Sequence, residues 1–219
     1  LPQVMRDGKP VTAVDQTHIG EEFFRRLVTQ IFPSSYASAS ALVRHVPLDA
    51  RGEIRILDVA AGSGAWSLPF AQKYRRARVT AADQPFVLEA TRDYAVRYGL
   101  AERYEDLPGD IRKTNFGRDQ YDLALLGHIC HSEGARWSRK LIAKVARALK
   151  PGGFIAIADM VPGEQRTEPE FAVLFAINML LHTTEGDTFT LSEYREWLCA
   201  AGLTGVTLLD RQAIGCDVI

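Results

Sequence analysis

Short apolar runs alternating with helix-length amphipathic stretches predict an α/β fold: an open, mostly parallel sheet with helices on both faces and a short helical segment in front. Two further observations agree. A glycine-rich turn follows the first strongly apolar run directly, as expected where a buried strand feeds a helix. The length, 219 residues, suits one sizeable α/β domain with a small helical lobe.

Taken in order, residues 1–16 read as irregular, with Gly8 and Pro10 as breakers. Phe23, Phe24, Leu27, Val28 and Ile31 recur at helical spacing from about Gly20, and Pro33 suits the first turn of a second helix running to about His45. Residues 54–59 form a buried strand, Gly62-Ser63-Gly64 a tight turn, and a helix follows to about Tyr74. Ala77–Ala82 is a second strand, Pro85–Tyr98 a helix closed by Gly99, and Arg103–Leu107 a weak third strand. Tyr121–Leu126 is a strong buried strand. Leu141, Ile142, Val145 and Leu149 make the apolar stripe of the next helix, which Lys150-Pro151-Gly152-Gly153 stops before strand Phe154–Ala158. Residues 167–182 predict an apolar helix with a capping box at Thr167 and Glu170. A second box, Thr190 with Glu193, opens the helix that Gly202 ends, and Val206–Leu209 with Cys216–Ile219 predicts an antiparallel pair at the sheet edge. The organisation expected is a linker with helices over 1–50 and a catalytic domain over 51–219.

Bulk charge narrows the function classes. Lys and Arg total 26 against 27 Asp and Glu, so no global field draws in nucleic acid or an anionic membrane. No apolar run has the length of a membrane span and no signal peptide is visible. The three cysteines, Cys130, Cys199 and Cys216, are far apart and read as free thiols in a reducing, cytoplasmic compartment. No metal-ligand spacing stands out. A first residue that is Leu and a last one inside a strand read as a fragment of a longer chain.

The sharpest local signal is Asp58, Gly62 and Gly64 at the strand-to-helix turn, with Asp83 ending the next strand. Ligands of open α/β sheets bind at the carboxyl ends of strands, and an acid at Asp83 accepts ribose hydroxyls. A dinucleotide fingerprint wants a further glycine at Ser67, and pyrophosphate disfavours a carboxylate at the turn. Asp58 suits a cation instead, such as a ligand carrying ammonium and sulfonium groups, which favours S-adenosylmethionine over NAD.

These segments resemble a known family. ILDVAAGSG at 56–64 resembles motif I of class I S-adenosylmethionine-dependent methyltransferases, whose sheet is Rossmann-like. VTAADQP, the PGD ending at Asp110, YDLALLGHICH, ALKPGGFIAIADMVP and TLSEYREWLCAAGL follow in the order of the small-molecule O-methyltransferases, the caffeate-type plant enzymes and bacterial polyketide and carotenoid enzymes. The resemblance covers residues 53–204. It implies that Asp83 holds ribose, that Asp110 reaches the adenine amine, that the backbone at Gly127 and His128 lines the methionine part, and that Gln84 and Ile111 also belong to the cofactor site. From the residues alone Asp110 reads equally as a solvated loop acid. LPQVMRDGKPV resembles the stretch after the family's dimerising winged-helix domain, which lies outside this sequence, and the oligomeric state is left open.

Methyl transfer to oxygen needs a positioned nucleophile and a group to take its proton. His131, after the Tyr121–Leu126 strand, reads on its own as a loop histidine; its place in GHICH resembles the family's general base. Asp159 ends the next strand where the family has a Glu, and the resemblance implies that it orients the imidazole. The family has Asp-Trp after this histidine; Ser132 and Glu133 stand here. A further acid of some plant members falls near Thr188, with Asp187 adjacent. Asn178 is read as a buried amide on one helical face with Phe171, Phe175 and His182, contacting an acceptor substrate together with Met179, or else bonding local backbone. Phe23, Phe24 and Trp137 are further pocket candidates, whereas His18, His45 and His182 read as packing or surface residues. The expected function is methylation of a hydroxyl on a small aromatic or polyketide-like metabolite, yielding S-adenosylhomocysteine. C- or N-methylation on the same scaffold and a non-catalytic adenosine-binding module stay open.

Overall fold

Alternate residues of a β-strand point to opposite faces of the sheet, and the central strand shows the consequence. In β1 (Ile54–Val59), Ile56 packs on one face among Phe70, Leu123 and Leu125, while Leu57 and Val59 pack on the other among Leu126, Ile142 and Ile157. A strand apolar on both faces must be covered on both, which is why helices flank the sheet on each side. The computed structural model describes residues 2–11, 13–14, 18–48, 52–209 and 211–219.

The chain opens with α1 (Pro2–Asp7), α2 (His18–Gln30) and α3 (Phe32–Leu42). It continues through β1, α4 (Leu68–Lys73), β2 (Ala77–Asp83), α5 (Pro85–Arg97), a 3-10 turn at Ala101–Arg103 and β3 (Tyr104–Pro108). Then come β4 (Tyr121–Gly127), α6 (Cys130–Ala148), β5 (Leu149–Asp159), α7 (Glu170–His182), α8 (Leu191–Ala200), α9 (Arg211–Ile214) and β6 (Asp217–Val218). The strand order is β3-β2-β1-β4-β5-β6, parallel except for β6, which runs antiparallel to β5. Order therefore reverses between β1 and β4, and a crevice is expected at their carboxyl ends. Both α3 and α4 cover the face of Ile56, whereas α6 and α8 cover the face of Leu57 through Ile142, Val145, Trp197 and Leu198.

Four local expectations are corrected. Residues 2–7 are helical, with Val4 buried, where breakers predicted irregular chain. The Thr167 box does not form: α7 starts at Glu170 behind Pro169, whose fixed φ already sets the entry, and no side chain caps it. The Thr190–Glu193 box does form. The Lys150–Gly153 turn lies inside β5, where the pairing with β4 jumps from Tyr121–Leu149 to Leu123–Phe154. The edge pair shrinks to β6 and a single Leu209–Val218 bridge, because the chain between them winds into α9, held by an Arg211–Asp217 ion pair. Cys130 is buried, Cys199 exposed, and both are free, as is Cys216. Among the described residues no helix is long and apolar enough to cross a membrane.

Candidate active site

A cavity of about 910 Å³ opens where the strand order reverses. Its wall comes from the chain after β1 (Ala60–Ser63), after β2 (Asp83, Gln84), after β3 (Gly109–Arg112) and after β4 (Gly127–Ile129), closed by Phe24, Leu27 and Val28 of α2. The volume lies in the range of small-molecule sites. Gly62, Asp83, Gln84, Asp110, Ile111, Gly127 and His128, all singled out from the sequence, meet on this wall.

Backbone geometry shapes the end of the cavity at Gly62 and Asp83. Gly62 takes φ +59° and donates its N–H to Asp83 Oδ2 at 2.9 Å; the Gln84 N–H donates to Asp83 Oδ1 at 2.7 Å. Each carboxylate oxygen keeps acceptor capacity for a ligand hydroxyl. Burial pushes the Asp83 carboxyl up to about 6, against the pull of the two N–H groups. Gly64, φ +72°, sits behind this turn rather than on the wall, and a side chain there would press on Thr91. Ser67, where a dinucleotide site has glycine, is buried and bonds Tyr104 Oη at 2.9 Å.

Asp58 lies beneath the turn, 1 % exposed, with neither carboxylate oxygen hydrogen-bonded. Burial raises it to about 7, with a smaller push from Asp83 and an opposing pull from Ser67. Burial favours the neutral form of this carboxyl, and a cation seated nearby would restore the charged one. With the glycine turn and the Asp83 acceptor, this residue set fits a nucleoside ligand that carries positive charge.

The β4 edge is set by a contact no motif announces. A side chain at Gly127 would fall 2.1 Å from the Trp66 indole, so only glycine lets Trp66 line the cavity. His128 follows at φ +58°, donates its N–H to the Ala158 carbonyl, and keeps a buried Nδ1 without a partner. Burial pulls its imidazole down to about 4, so it is neutral near pH 7.

His131 sits in the first turn of α6, ahead of a break at Gly134 (φ 73°, ψ 165°). A side chain at Gly134 would strike the Glu185 carbonyl at 2.3 Å; the break lets the α7–α8 loop close in, and Asp187 donates its N–H to the His131 carbonyl. His131 Nδ1 lies 2.5 Å from Asp159 Oδ1, and the pair is 6 % and 2 % exposed. Burial raises the Asp159 carboxyl, but the His131 ring and the Tyr194 hydroxyl outweigh it and hold the group below its ordinary value. His131 is not on the cavity wall: its ring lies 6.2 Å from that of His128 and 4.9 Å, edge-on, from Phe175 of α7. The ring nitrogens of His128 and His131 and the Asp159 carboxylate come within 4.8 Å of one another. Asp159 already accepts from four donors, so the geometry suits proton handling better than a cation.

The α7 expectation is corrected. Asn178 is exposed, so it needs no buried partner, and it does not line the cavity; Met179 is buried and faces the core, its carbonyl taking the Thr183 hydroxyl. The helix has Ala172 and Met179 as its buried side, which turns Phe171, Leu174 and Ile177 outward. Phe24 lines the cavity, Phe23 is exposed, and Trp137 stays off the wall with the Arg112 guanidinium over its ring. His45 and His182 are exposed, and the side chain of His18 lies outside the described residues. Sequence reading missed Trp66, Phe86, Tyr194 and the Arg112–Glu133 ion pair at the cavity edge, 2.7 Å long. Only the Glu133 departure from the family's Trp could have hinted at the last.

Residues 17–204 match the sequence model of the O-methyltransferase domain. A 3-hydroxy-5-methyl-1-naphthoate 3-O-methyltransferase of Streptomyces sahachiroi is 28% identical over 80% of this chain and 50% of its own. The structure of an O-methyltransferase family 2 protein from Planctomyces limnophilus DSM 3776 in complex with apigenin is 28% identical, covering 87% of this chain and 58% of that one with a TM-score of 0.78. Human N-acetylserotonin methyltransferase in complex with SAM shares the fold, with a TM-score of 0.82 at 20% identity over 99% of this chain and 63% of that one. The chain spans about half the length of the curated relatives it matches. It belongs to the O-methyltransferase domain family.

Proposed function

We propose that this family member transfers a methyl group from S-adenosylmethionine to a hydroxyl of a small aromatic or polyketide-like metabolite in the cytoplasm, with His131 as general base and Asp159 as its orienting carboxylate. The observation that carries the reading is the buried His131–Asp159 pair, 2.5 Å apart, beside a cavity walled by Asp83 and a glycine turn. The naphthoate and apigenin of the two relatives are both phenolic, which supports a hydroxyl acceptor.

Bound, S-adenosylmethionine supplies a methyl already activated on a sulfonium, so the protein must align the acceptor and remove a proton. Asp83 and Gln84 are assigned the ribose, Asp110 and Ile111 the adenine, and the backbone at Gly127 and His128 the methionine part. Asp58 balances the positive charge from beneath Gly62 and Gly64. The N-terminal segment, 1–50, closes the cavity of the catalytic domain, 51–219, through Phe24 and Val28. His131 Nδ1–H faces Asp159, leaving Nε2 to take the hydroxyl proton as the oxygen–methyl bond forms, and Asp159 stabilises the imidazolium. Phe175 packs edge-on against the His131 ring and holds it in place.

The test is methyl-labelled S-adenosylmethionine with a panel of hydroxylated naphthoates and flavones and their amino-substituted counterparts, and calorimetry with S-adenosylhomocysteine and NAD. Label on a phenolic oxygen and S-adenosylhomocysteine binding are expected. Label on carbon or nitrogen removes the O-methyl assignment. Binding without transfer to any acceptor leaves an adenosine-binding module, and NAD binding in place of S-adenosylhomocysteine overturns the cofactor.

A further inference from the structure

The Asp159 carboxylate accepts four hydrogen bonds. Oδ1 takes the His131 ring at 2.5 Å and the Met160 N–H at 2.9 Å; Oδ2 takes the Tyr194 hydroxyl at 2.6 Å and the His131 N–H at 3.1 Å. Two donors are backbone and one is the base itself, which leaves Tyr194 as the side chain that holds the carboxylate from outside the pair. Tyr194 projects from α8, fully buried at 0 % exposure, and its ring is wedged edge-on against Phe189 at 6.1 Å and Trp197 at 5.3 Å. That packing fixes where the hydroxyl points.

We propose that Tyr194 is a positioning residue for the methyl transfer: its hydroxyl holds Oδ2 of Asp159 and draws charge from the carboxylate, which sets how readily His131, on Oδ1, is freed to act as base. The proposal rests on His131 acting as general base. It also answers where the support for the dyad comes from. The sequence pointed near Thr188, but Asp187 is half-exposed, accepts the Thr188 N–H at 2.8 Å, and lies 3.7 Å from Arg166. The hydroxyl of Tyr194, on the next helix, occupies that supporting role.

The electrostatics give the clamp a sign. The groups facing Asp159 are His131 and Cys130 from α6, His128 after β4, Tyr194 from α8 and, farther off, Cys216 beside β6. Burial and the neighbouring carboxylate hold the phenol well above its ordinary value, so it remains a donor over any working pH. A phenol donating to Asp159 withdraws charge from the carboxylate and lowers its proton affinity. Removing that donor concentrates charge on Asp159, which favours the imidazolium and makes the base harder to free.

Tyr194→Phe removes the hydroxyl and keeps the ring. With an acceptor found above, the acid limb of the kcat/KM profile is expected to move up by about half to one pH unit. That is about a three- to tenfold loss on the limb, where rate follows the fraction of free base, and little loss on the plateau. The Asp159 carboxyl carbon resonance, read without any acceptor, is expected to titrate at higher pH, while S-adenosylhomocysteine affinity stays put. An unmoved Asp159 titration, or an equal loss at every pH, overturns the proposal and leaves Tyr194 as core packing. If the Asp159 titration moves and the limb does not, while His131→Ala is inactive, the clamp does not reach the reaction and the proposal also falls. If His131→Ala retains full activity, the general-base reading fails first and takes this one with it. Should Tyr194→Phe fail to fold, 3-fluorotyrosine at the same site, a stronger donor, must move the limb the opposite way; no movement overturns the proposal.

Discussion

The two ends of the site are assembled by different means. At the proposed cofactor end, groups are presented by backbone: glycine turns, strand termini, and the Gly62 N–H on Asp83, 21 residues away across adjacent strands. At the proton-handling end, side chains from three elements converge: His131 and Tyr194 meet Asp159 across 28 and 35 residues. Backbone cradles tolerate side-chain change around them; a side-chain cluster fails when one member goes. Substitutions at the second end should therefore act on turnover, and those at the first on affinity.

The largest effect is expected from His131→Ala: a loss of about 10²–10⁴-fold in turnover near neutral pH, with S-adenosylmethionine affinity unchanged. In the proposed reaction the base meets the acceptor hydroxyl and not the nucleoside, so the two readouts separate. The loss should shrink at high pH or with acidic phenols, which ionise unaided. Asp159→Asn should cost a comparable amount, because an amide NH2 cannot accept and would face two of the four donors now on the carboxylate, disturbing the ring or its tautomer. A comparable drop in cofactor affinity would erase the distinction between the two ends.

This contrast also explains what the sequence disclosed. Asp58, Gly62, Gly64 and Asp83 lie in one βαβ stretch, and their spacing reports the turn because the backbone there has few choices. The alternation of strands and helices was legible for the same reason: burial on both faces writes itself into composition strand by strand. Trp66 over Gly127, the Gly134 break under Glu185, and Tyr194 on Asp159 are tertiary contacts between segments with no common period. Asn178 failed from the opposite cause. An almost uniformly apolar α7 hides which side is buried, and an assumed face put the amide inside.

The next effect in size belongs to the cofactor end. Asp83→Ala should weaken S-adenosylhomocysteine binding about tenfold or more, the worth of a charge-assisted hydrogen bond of about 1.5–3 kcal/mol. Burial sets the Asp83 carboxyl at about 6, so the wild type should lose affinity as pH falls through that value and the acceptor becomes protonated. The variant should lose the part of that fall centred near 6 and keep only the part that Asp58, raised to about 7, contributes. Calorimetry between pH 5 and 8 checks both, and equal affinities would take Asp83 out of the site.

The smallest effect tests whether the proton-handling end depends on local helix geometry or on packing. Thr190 Oγ1 accepts the Glu193 N–H at 3.3 Å, and Glu193 Oε2 accepts the Thr190 N–H at 2.7 Å, closing the box one residue before Tyr194. Losing such a cap costs about 1 kcal/mol, which for a chain of this size lowers Tm by about 2–4 °C. Thr190→Ala should do that and no more: Tyr194 is held by Phe189, Trp197 and its bond to Asp159, so its hydroxyl should stay where it is. Turnover and its pH profile measured well below Tm should match the wild type. If the acid limb moves up as it does for Tyr194→Phe, then the cap sets the register of α8. The proton-handling end would then rest on a local sequence signal after all, and the contrast with the cofactor end would narrow to the His131–Asp159 contact itself.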